Sequence, residues 1–247
     1  MIKLKVKVLA SGSKGNVTFI EDKGTRILID IGMRCCYVEE KLREMDVEPS
    51  SIDAILITHI HNDHTMGLKT FSRKYKVDSY MTKTMEKDLE ASNVKYICKD
   101  FNIKDINVKV FRTSHDVESY GYIIQDELVY ITDTGYINNK YFDMLSNKKI
   151  YIMESNHDIE MLETGPYPYH LKQRIWSDKG HLSNKMSADY LSKWIGDNTK
   201  AVVLAHLSET NNTEELALNE FKSKENNRRV EKVILGKPKE ATELIEV

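Results

Sequence analysis

The feature that most constrains this chain is His59-Ile60-His61-Asn62-Asp63-His64, four residues able to ligate a metal within six positions. Neutral imidazole and carboxylate are the ordinary ligands of zinc, manganese and iron. The cluster follows Ala54-Ile55-Leu56-Ile57-Thr58, a run that reads as a buried strand. On a loop leaving a strand, His59 and His61 can point to one side while Asp63 and His64 turn toward a second position. One such histidine alone would sit as readily on a solvated turn. Four together behind a buried strand point to metal, and they require a fold that delivers a strand end to a polar site.

The rest of the chain repeats that arrangement. Strands are expected over Met1–Leu9, Val17–Glu21, Thr25–Ile29, Ile106–Arg112, Tyr120–Gln125, Leu128–Thr132, Ile150–Met153, Ala201–Ala205 and Val230–Leu235. Helical spacing is read in Met33–Met45, Thr82–Ser92, Asn138–Leu145, Ser183–Ile195 and Thr213–Ser223. Asp30, the His59–His64 cluster, His115, Asp133, Glu154 and His206 each stand at or just behind an expected strand's end. Side chains converging from several strand ends of one sheet form the polar floor of an α/β site.

Composition excludes several alternatives. The 247 residues hold 36 Lys+Arg and 38 Asp+Glu, with 40% hydrophobic and 30% charged residues, which describes a globular chain rather than a disordered one. No apolar run approaches the roughly 18–20 residues of a membrane span. The start, Met1-Ile2-Lys3-Leu4-Lys5-Val6-Lys7-Val8, alternates Lys with apolar residues as a strand does and lacks the apolar core of a signal peptide. Cys35, Cys36 and Cys98 make no secreted disulfide framework, so a reducing cytoplasm is expected. A formal net charge of −2 argues against a uniformly basic nucleic-acid protein but leaves room for a local patch.

With these residues in view, His-x-His-x-Asp-His behind a strand, Asp30 upstream, and His115, Asp133 and His206 downstream, the chain resembles the metallo-β-lactamase fold. The resemblance implies a single domain over 1–247 of α/β class, a four-layered αββα sandwich of two similar halves, roughly 1–125 and 126–247. It further implies two divalent metal ions, zinc, manganese or iron. His59, His61 and His115 would hold the first; Asp63, His64 and His206 the second; Asp133 would bridge them. Asp30 would either orient a ligand histidine or serve as an ordinary strand-end turn residue.

The fold hosts many reactions, so function is sought in the site. Asp133 as a bridge disfavours true β-lactamases, His61 disfavours flavodiiron proteins, which replace one cluster histidine by Glu, and Ser114-His115-Asp116 does not match the Gly-His-Thr-Pro-Gly type turn of glyoxalase II-like enzymes. Ser11-Gly12-Ser13-Lys14-Gly15-Asn16, Ser114-His115-Asp116, Tyr130-Ile131-Thr132-Asp133-Thr134-Gly135-Tyr136, Glu154-Ser155-Asn156-His157-Asp158 and Gly180-His181-Leu182-Ser183-Asn184 together resemble the YycJ/WalJ-type bacterial subfamily over nearly the whole chain. Its members are similar to metal-dependent 5′-exonucleases acting on DNA and have been linked to mismatch repair. The stretch between Asp133 and His206 is too short for the inserted domain of the β-CASP nucleases, and the flexible arm of tRNase Z is missing.

The resemblance therefore implies a cytoplasmic, dinuclear metal-dependent phosphodiesterase, a DNA 5′-exonuclease in which a metal-bridging hydroxide attacks phosphorus. Gly180-His181-Leu182-Ser183 resembles the His-Ser-Thr turn of tRNase Z, which makes His181 the proton donor to the leaving oxygen. Asp63 or Asp133 would manage the attacking proton. Ser11, Ser13 and Asn16, in a turn whose backbone N–H groups suit an anion, and Asn156 with His157 are expected to contact substrate. His170 is read as structural or solvated, and Cys35-Cys36 as packing. Alternatives are a ribonuclease, a hydrolase of small cyclic phosphodiesters, or a metal-bound regulatory protein without turnover.

Overall fold

A computed structural model describes residues 4–97 and 99–247. The first three residues of the expected opening strand, and Cys98, lie outside the described residues. The chain forms two compact units, Met1–Lys109 with Lys237–Val247, and Val110–Gly236. The expected halves divided near residue 125. The division instead falls at Lys109/Val110, and the last eleven residues return to the first unit, because the terminal strand pairs with the opening one.

The chain runs β1 (Lys5–Ala10), β2 (Val17–Asp22), β3 (Thr25–Ile29), α1 (Cys35–Arg43), β4 (Ala54–Leu56), α2 (Asn62–Thr65), α3 (Leu68–Tyr75), β5 (Asp78–Met81), β6 (Val94–Tyr96), β7 (Phe101–Ile103) and β8 (Ile106–Arg112). It continues through β9 (Tyr120–Ile124), β10 (Leu128–Ile131), α4 (Phe142–Leu145), β11 (Ile150–Glu154), α5 (Ile159–Thr164), α6 (Tyr169–Trp176) and α7 (Asn184–Trp194). Last come β12 (Ala201–Ala205), α8 (Glu214–Ser223), β13 (Lys232–Leu235) and β14 (Ile245–Glu246).

In the first unit seven strands lie in the order β14-β1-β2-β3-β4-β5-β6. The β14-β1-β2-β3 pairs are antiparallel and β3-β4-β5-β6 parallel. Strands β7 and β8 form a hairpin, and β8 carries the chain into the second unit. There β9-β10 is antiparallel and β10-β11-β12-β13 parallel. Each unit thus repeats one scheme, an antiparallel pair leading into three further parallel strands. Both sheets are mixed, as the α/β expectation requires.

The parallel strands β3, β4, β11 and β12 are apolar and almost wholly buried, as strands covered on both faces must be. The second unit's core joins Tyr151, Leu191, Trp194, Val202, Leu204 and Phe221. Each such side chain contributes roughly 1.5–3 kcal/mol of burial. Helix α7 starts where Ser183 Oγ accepts the Met186 N–H at 3.2 Å, and it packs against α8. Among the described residues no helix is long and apolar enough to cross a membrane.

Thr82–Ser92 is not the helix that its spacing suggests. Only the 3-10 turn Met85–Lys87 forms there, because the Ser92 N–H donates to the Ser72 hydroxyl of α3 at 3.1 Å instead of continuing a helical ladder. Asn138–Leu145 begins as a 3-10 turn, Asn139–Tyr141, before α4.

Candidate metal centre

The C-terminal ends of the parallel strands carry the polar side chains, and three of them leave the strand through strained backbone. Asp30 follows β3 with φ 58°, Asp133 follows β10 with φ 53°, and His206 follows β12 with φ 56°. Left-handed backbone at a residue other than glycine costs of order 1 kcal/mol and concentrates at functional sites. Here it turns a side chain back across the strand end.

In the first unit this produces a connected cluster. Asp30 is fully buried, and its carboxylate accepts the Thr58 N–H and hydroxyl, each at 2.8 Å, and the His64 Nδ1–H at 2.7 Å. Burial pushes the Asp30 carboxyl above its ordinary value, against the pull of His64 and Thr58. Thr58 Oγ1 also lies 2.9 Å from His59 Nδ1 and can accept its N–H. Both rings are therefore held through Nδ1, which leaves Nε2 as the ligating atom. His59 Nε2 stands 3.1 Å from His61 Nδ1. Two nitrogens bound at about 2.0 Å on a tetrahedral ion lie about 3.3 Å apart, so the pair fits a shared metal. His61 stands at the N-cap position of α2 and Asp63 lies in its first turn, with Asp63 Oδ2 3.5 Å from His64 Nε2.

Asn16 joins this cluster. Its amide nitrogen lies 3.0 Å from His64 Nε2 and 3.4 Å from Asp63 Oδ2, while its carbonyl accepts the Gly12 N–H at 3.0 Å. The Ser11, Gly15 and Asn16 N–H groups donate to the carbonyls of Lys237, Gly12 and Asp63. The amides of Ser11, Gly12, Gly15 and Asn16 thus serve internal bonds, and Ser11 is buried while Ser13 is exposed.

In the second unit the centre is organised by Glu154, which is fully buried at the end of β11. Oε1 accepts the Nδ1–H of His181 at 2.7 Å and of His206 at 3.0 Å; Oε2 accepts the Thr134 N–H at 2.9 Å and the Leu182 N–H at 3.2 Å. Burial works to raise this carboxyl, but His181 and the histidine hydrogen bonds prevail and hold it at about 2. Asp133, Glu154, His181 and His206 place ligand atoms within 4.8 Å of one another. Asp133 Oδ1 is 3.7 Å from His206 Nε2 and 3.9 Å from His115 Nε2. His115 donates through Nδ1 to the Gly180 carbonyl at 3.2 Å, and burial lowers its pKa, which keeps the ring neutral and able to ligate. His181, with its side chain 17% exposed, is the most open histidine of this unit's set.

Asn156 and His157 do not line a surface. The Asn156 amide donates to the His206 carbonyl at 3.0 Å, bracing the strained residue. His157 is 1% exposed, and burial pushes it down to about 4. His170 is exposed. Glu154 and Thr58 escaped the sequence reading as orienting groups. The available signal was a carboxylate closing the apolar run Ile150–Met153, where an unpaired charge could not stay.

Residues 10–89 match the Metallo-beta-lactamase superfamily. The chain is 38% identical over 233 residues to exodeoxyribonuclease WalJ of Streptococcus pneumoniae, covering 87% of this chain and 86% of that protein. It is 35% identical over 227 residues to exodeoxyribonuclease YycJ of Bacillus anthracis, again covering 87% and 86%. The structure superposes on the metallo-β-lactamase fold protein YhfI of Bacillus subtilis with a TM-score of 0.74 and 16% identity, over 97% of this chain and 99% of that one. The fold is accordingly the metallo-β-lactamase fold.

Proposed function

Because the chain belongs to the WalJ/YycJ family of the metallo-β-lactamase superfamily, we propose that it is a metal-dependent DNA exonuclease working from the 5′ end. The observation that carries this reading is the pair of buried orienting carboxylates. Asp30 fixes the tautomer of His64, and Glu154 that of His206. Ligand histidines are ordinarily held in this way, and surface histidines have no need of it. The all-His/carboxylate donor sets fit divalent zinc, manganese or iron, and two such ions are proposed. Bound ions of this kind polarise phosphoryl oxygens and activate water for in-line displacement.

The protein's own groups do the rest. His59, His61, Asp63, His64, His115, Asp133 and His206 are the proposed ligands, and Asp63 or Asp133 takes the proton of the attacking water. With Nδ1 bound to Glu154, His181 has Nε2 for the substrate, where it passes a proton to the leaving oxygen. Asn16 and Asn156 are positioning residues, since their amides already bind site residues. Of the expected substrate contacts, Ser13 is the exposed one. A cytoplasmic place in DNA repair agrees with this activity.

The test is a time course on 5′- and 3′-labelled single- and double-stranded DNA and RNA with Mn²⁺ or Zn²⁺. Mononucleotide release from 5′-labelled DNA is expected, and His61→Ala and Asp63→Ala should abolish it. Activity retained in both variants, or confined to RNA, would overturn the reading.

A further inference from the structure

Wholly within the second unit lies a cavity of about 220 Å³ whose lining includes Arg112, Ser114, Tyr136, Asn138, Lys140 and Tyr141. Ser114 immediately precedes His115, and Tyr136 follows Asp133 by three positions, so the cavity adjoins the proposed ligands along the chain. None of its groups has a part in the chemistry described above.

Its composition is cationic, aromatic and rich in hydrogen-bonding groups. The Lys140 ammonium sits 4.8 Å from the centre of the Tyr141 ring and has no carboxylate partner among the described residues. The Arg112 guanidinium lies 5.4 Å from the Tyr120 ring and 3.5 Å from Glu118. Asn138 uses its side-chain carbonyl to accept the Lys140 N–H at 3.0 Å, and its amide hydrogens remain available. The Tyr136 side chain makes no hydrogen bond among the described residues, and the residue is 38% exposed, much for a large aromatic group.

Tyr136 is also held rigidly from its main chain. A Cβ on Gly135 would lie 2.3 Å from the Ser177 carbonyl oxygen, so only glycine permits this approach. The Thr134 hydroxyl donates to the Tyr136 carbonyl at 2.8 Å, and the Ile137 N–H donates to the Tyr190 hydroxyl at 3.1 Å. The backbone on both sides of the ring is thus set before any ligand arrives, which cuts the ordering cost of binding.

A rigid, exposed aromatic ring in a cavity lined by Lys140, which has no carboxylate partner among the described residues, and by Arg112, which shares Glu118, matches an unstacked base with its phosphates, and a base within a duplex has no free face to offer. We propose that this cavity is a subsite for one nucleotide of a single-stranded substrate, with Tyr136 stacking on the base and Lys140 and Arg112 against phosphate. The assignment rests on the exonuclease reading above.

The experiment measures binding of a fluorescein-labelled, phosphorothioate-linked 12-mer of thymidylate, which resists hydrolysis, to the full chain by fluorescence anisotropy. Tyr136→Ala should raise Kd about tenfold, and Tyr136→Phe, which keeps the ring, should restore it. Lys140→Gln, at an exposed side chain, should reduce the slope of log Kd against log salt by about 0.7, the value for one phosphate on a single strand. Thermal melting checks that each variant is folded. Wild-type Kd and salt slope in both Tyr136→Ala and Lys140→Gln would remove the subsite alone, as would Tyr136→Phe losing as much as Tyr136→Ala. Failure of the wild-type protein to bind the oligonucleotide would remove the exonuclease reading, and the subsite with it.

Discussion

Glu154 and His181 are joined by a 2.7 Å hydrogen bond, and the same carboxylate oxygen accepts from His206 at 3.0 Å. One buried anion thereby sets the orientation of a proposed proton donor and of a proposed metal ligand. Its second oxygen accepts two backbone N–H groups, so all four bonds need a carboxylate. Glu154→Gln turns an NH₂ toward one of these donor pairs and breaks it. The expected result is a 10–100-fold loss of kcat on 5′-labelled DNA with the protein still folded. A kcat within about twofold of wild type would show that Glu154 does not position these groups.

Asp30 has the corresponding place in the first unit, and its backbone complicates the choice of variant. At φ 58° a β-carbon is strained, and asparagine tolerates this region better than most residues. Asp30→Asn therefore removes the charge with little added strain. Metal affinity, read by chelator competition, should fall about 10–100-fold because the His64 Nδ1–H loses its anionic acceptor. Unchanged affinity would assign Asp30 to the turn alone.

A second buried carboxylate of that unit lies outside the proposed metal ligands. Hydrogen bonds from Lys74, Cys35 and Tyr75 hold Glu39 at about 2, below its ordinary 4.5. A carboxyl lowered on folding adds stability above its unfolded value and loses it as pH falls through the folded one. The contribution should thus be complete at pH 7 and disappear between about pH 4.5 and 2. Glu39→Gln should lower Tm at pH 7, and its difference from wild type should narrow steadily across that acid window. A difference independent of pH would show that packing, rather than charge, is what Glu39 supplies.

The adjacent thiols differ in the same neighbourhood. Burial and the Glu39 carboxylate push Cys35 up to about 12, whereas Cys36 is exposed. Thiolate is the reactive form, so iodoacetamide at pH 8 should alkylate Cys36 well before Cys35. Tandem mass spectrometry of the peptide that holds both reads the order directly. Equal rates would mean that Cys35 does not keep its bond to Glu39 in solution.

Much of the fold was legible because its signals are local. Thr25–Ile29, Ile106–Arg112 and Ala201–Ala205 form strands over the expected residues, since apolar β-branched runs of that length have few other uses. Leu68–Tyr75 gave no comparable signal. Eight residues with five polar and charged positions barely complete two turns, and α3 exists because Leu68 and Phe71 find a core to enter. At Thr82–Ser92 the periodicity misled, because Ser72, twenty positions away, competed for the backbone.

The site divides along the same line. By itself the sequence determined the donor types, their placement behind strand ends and the family, because metal chemistry restricts which residues can serve and at what spacing. Tertiary structure alone decided which carboxylates orient, that Asn16 and Asn156 brace the site from within, and that Tyr136 stands rigid and exposed. Those roles depend on burial and on contacts between residues distant in the chain, and neither composition nor spacing records where a buried charge finds its partner.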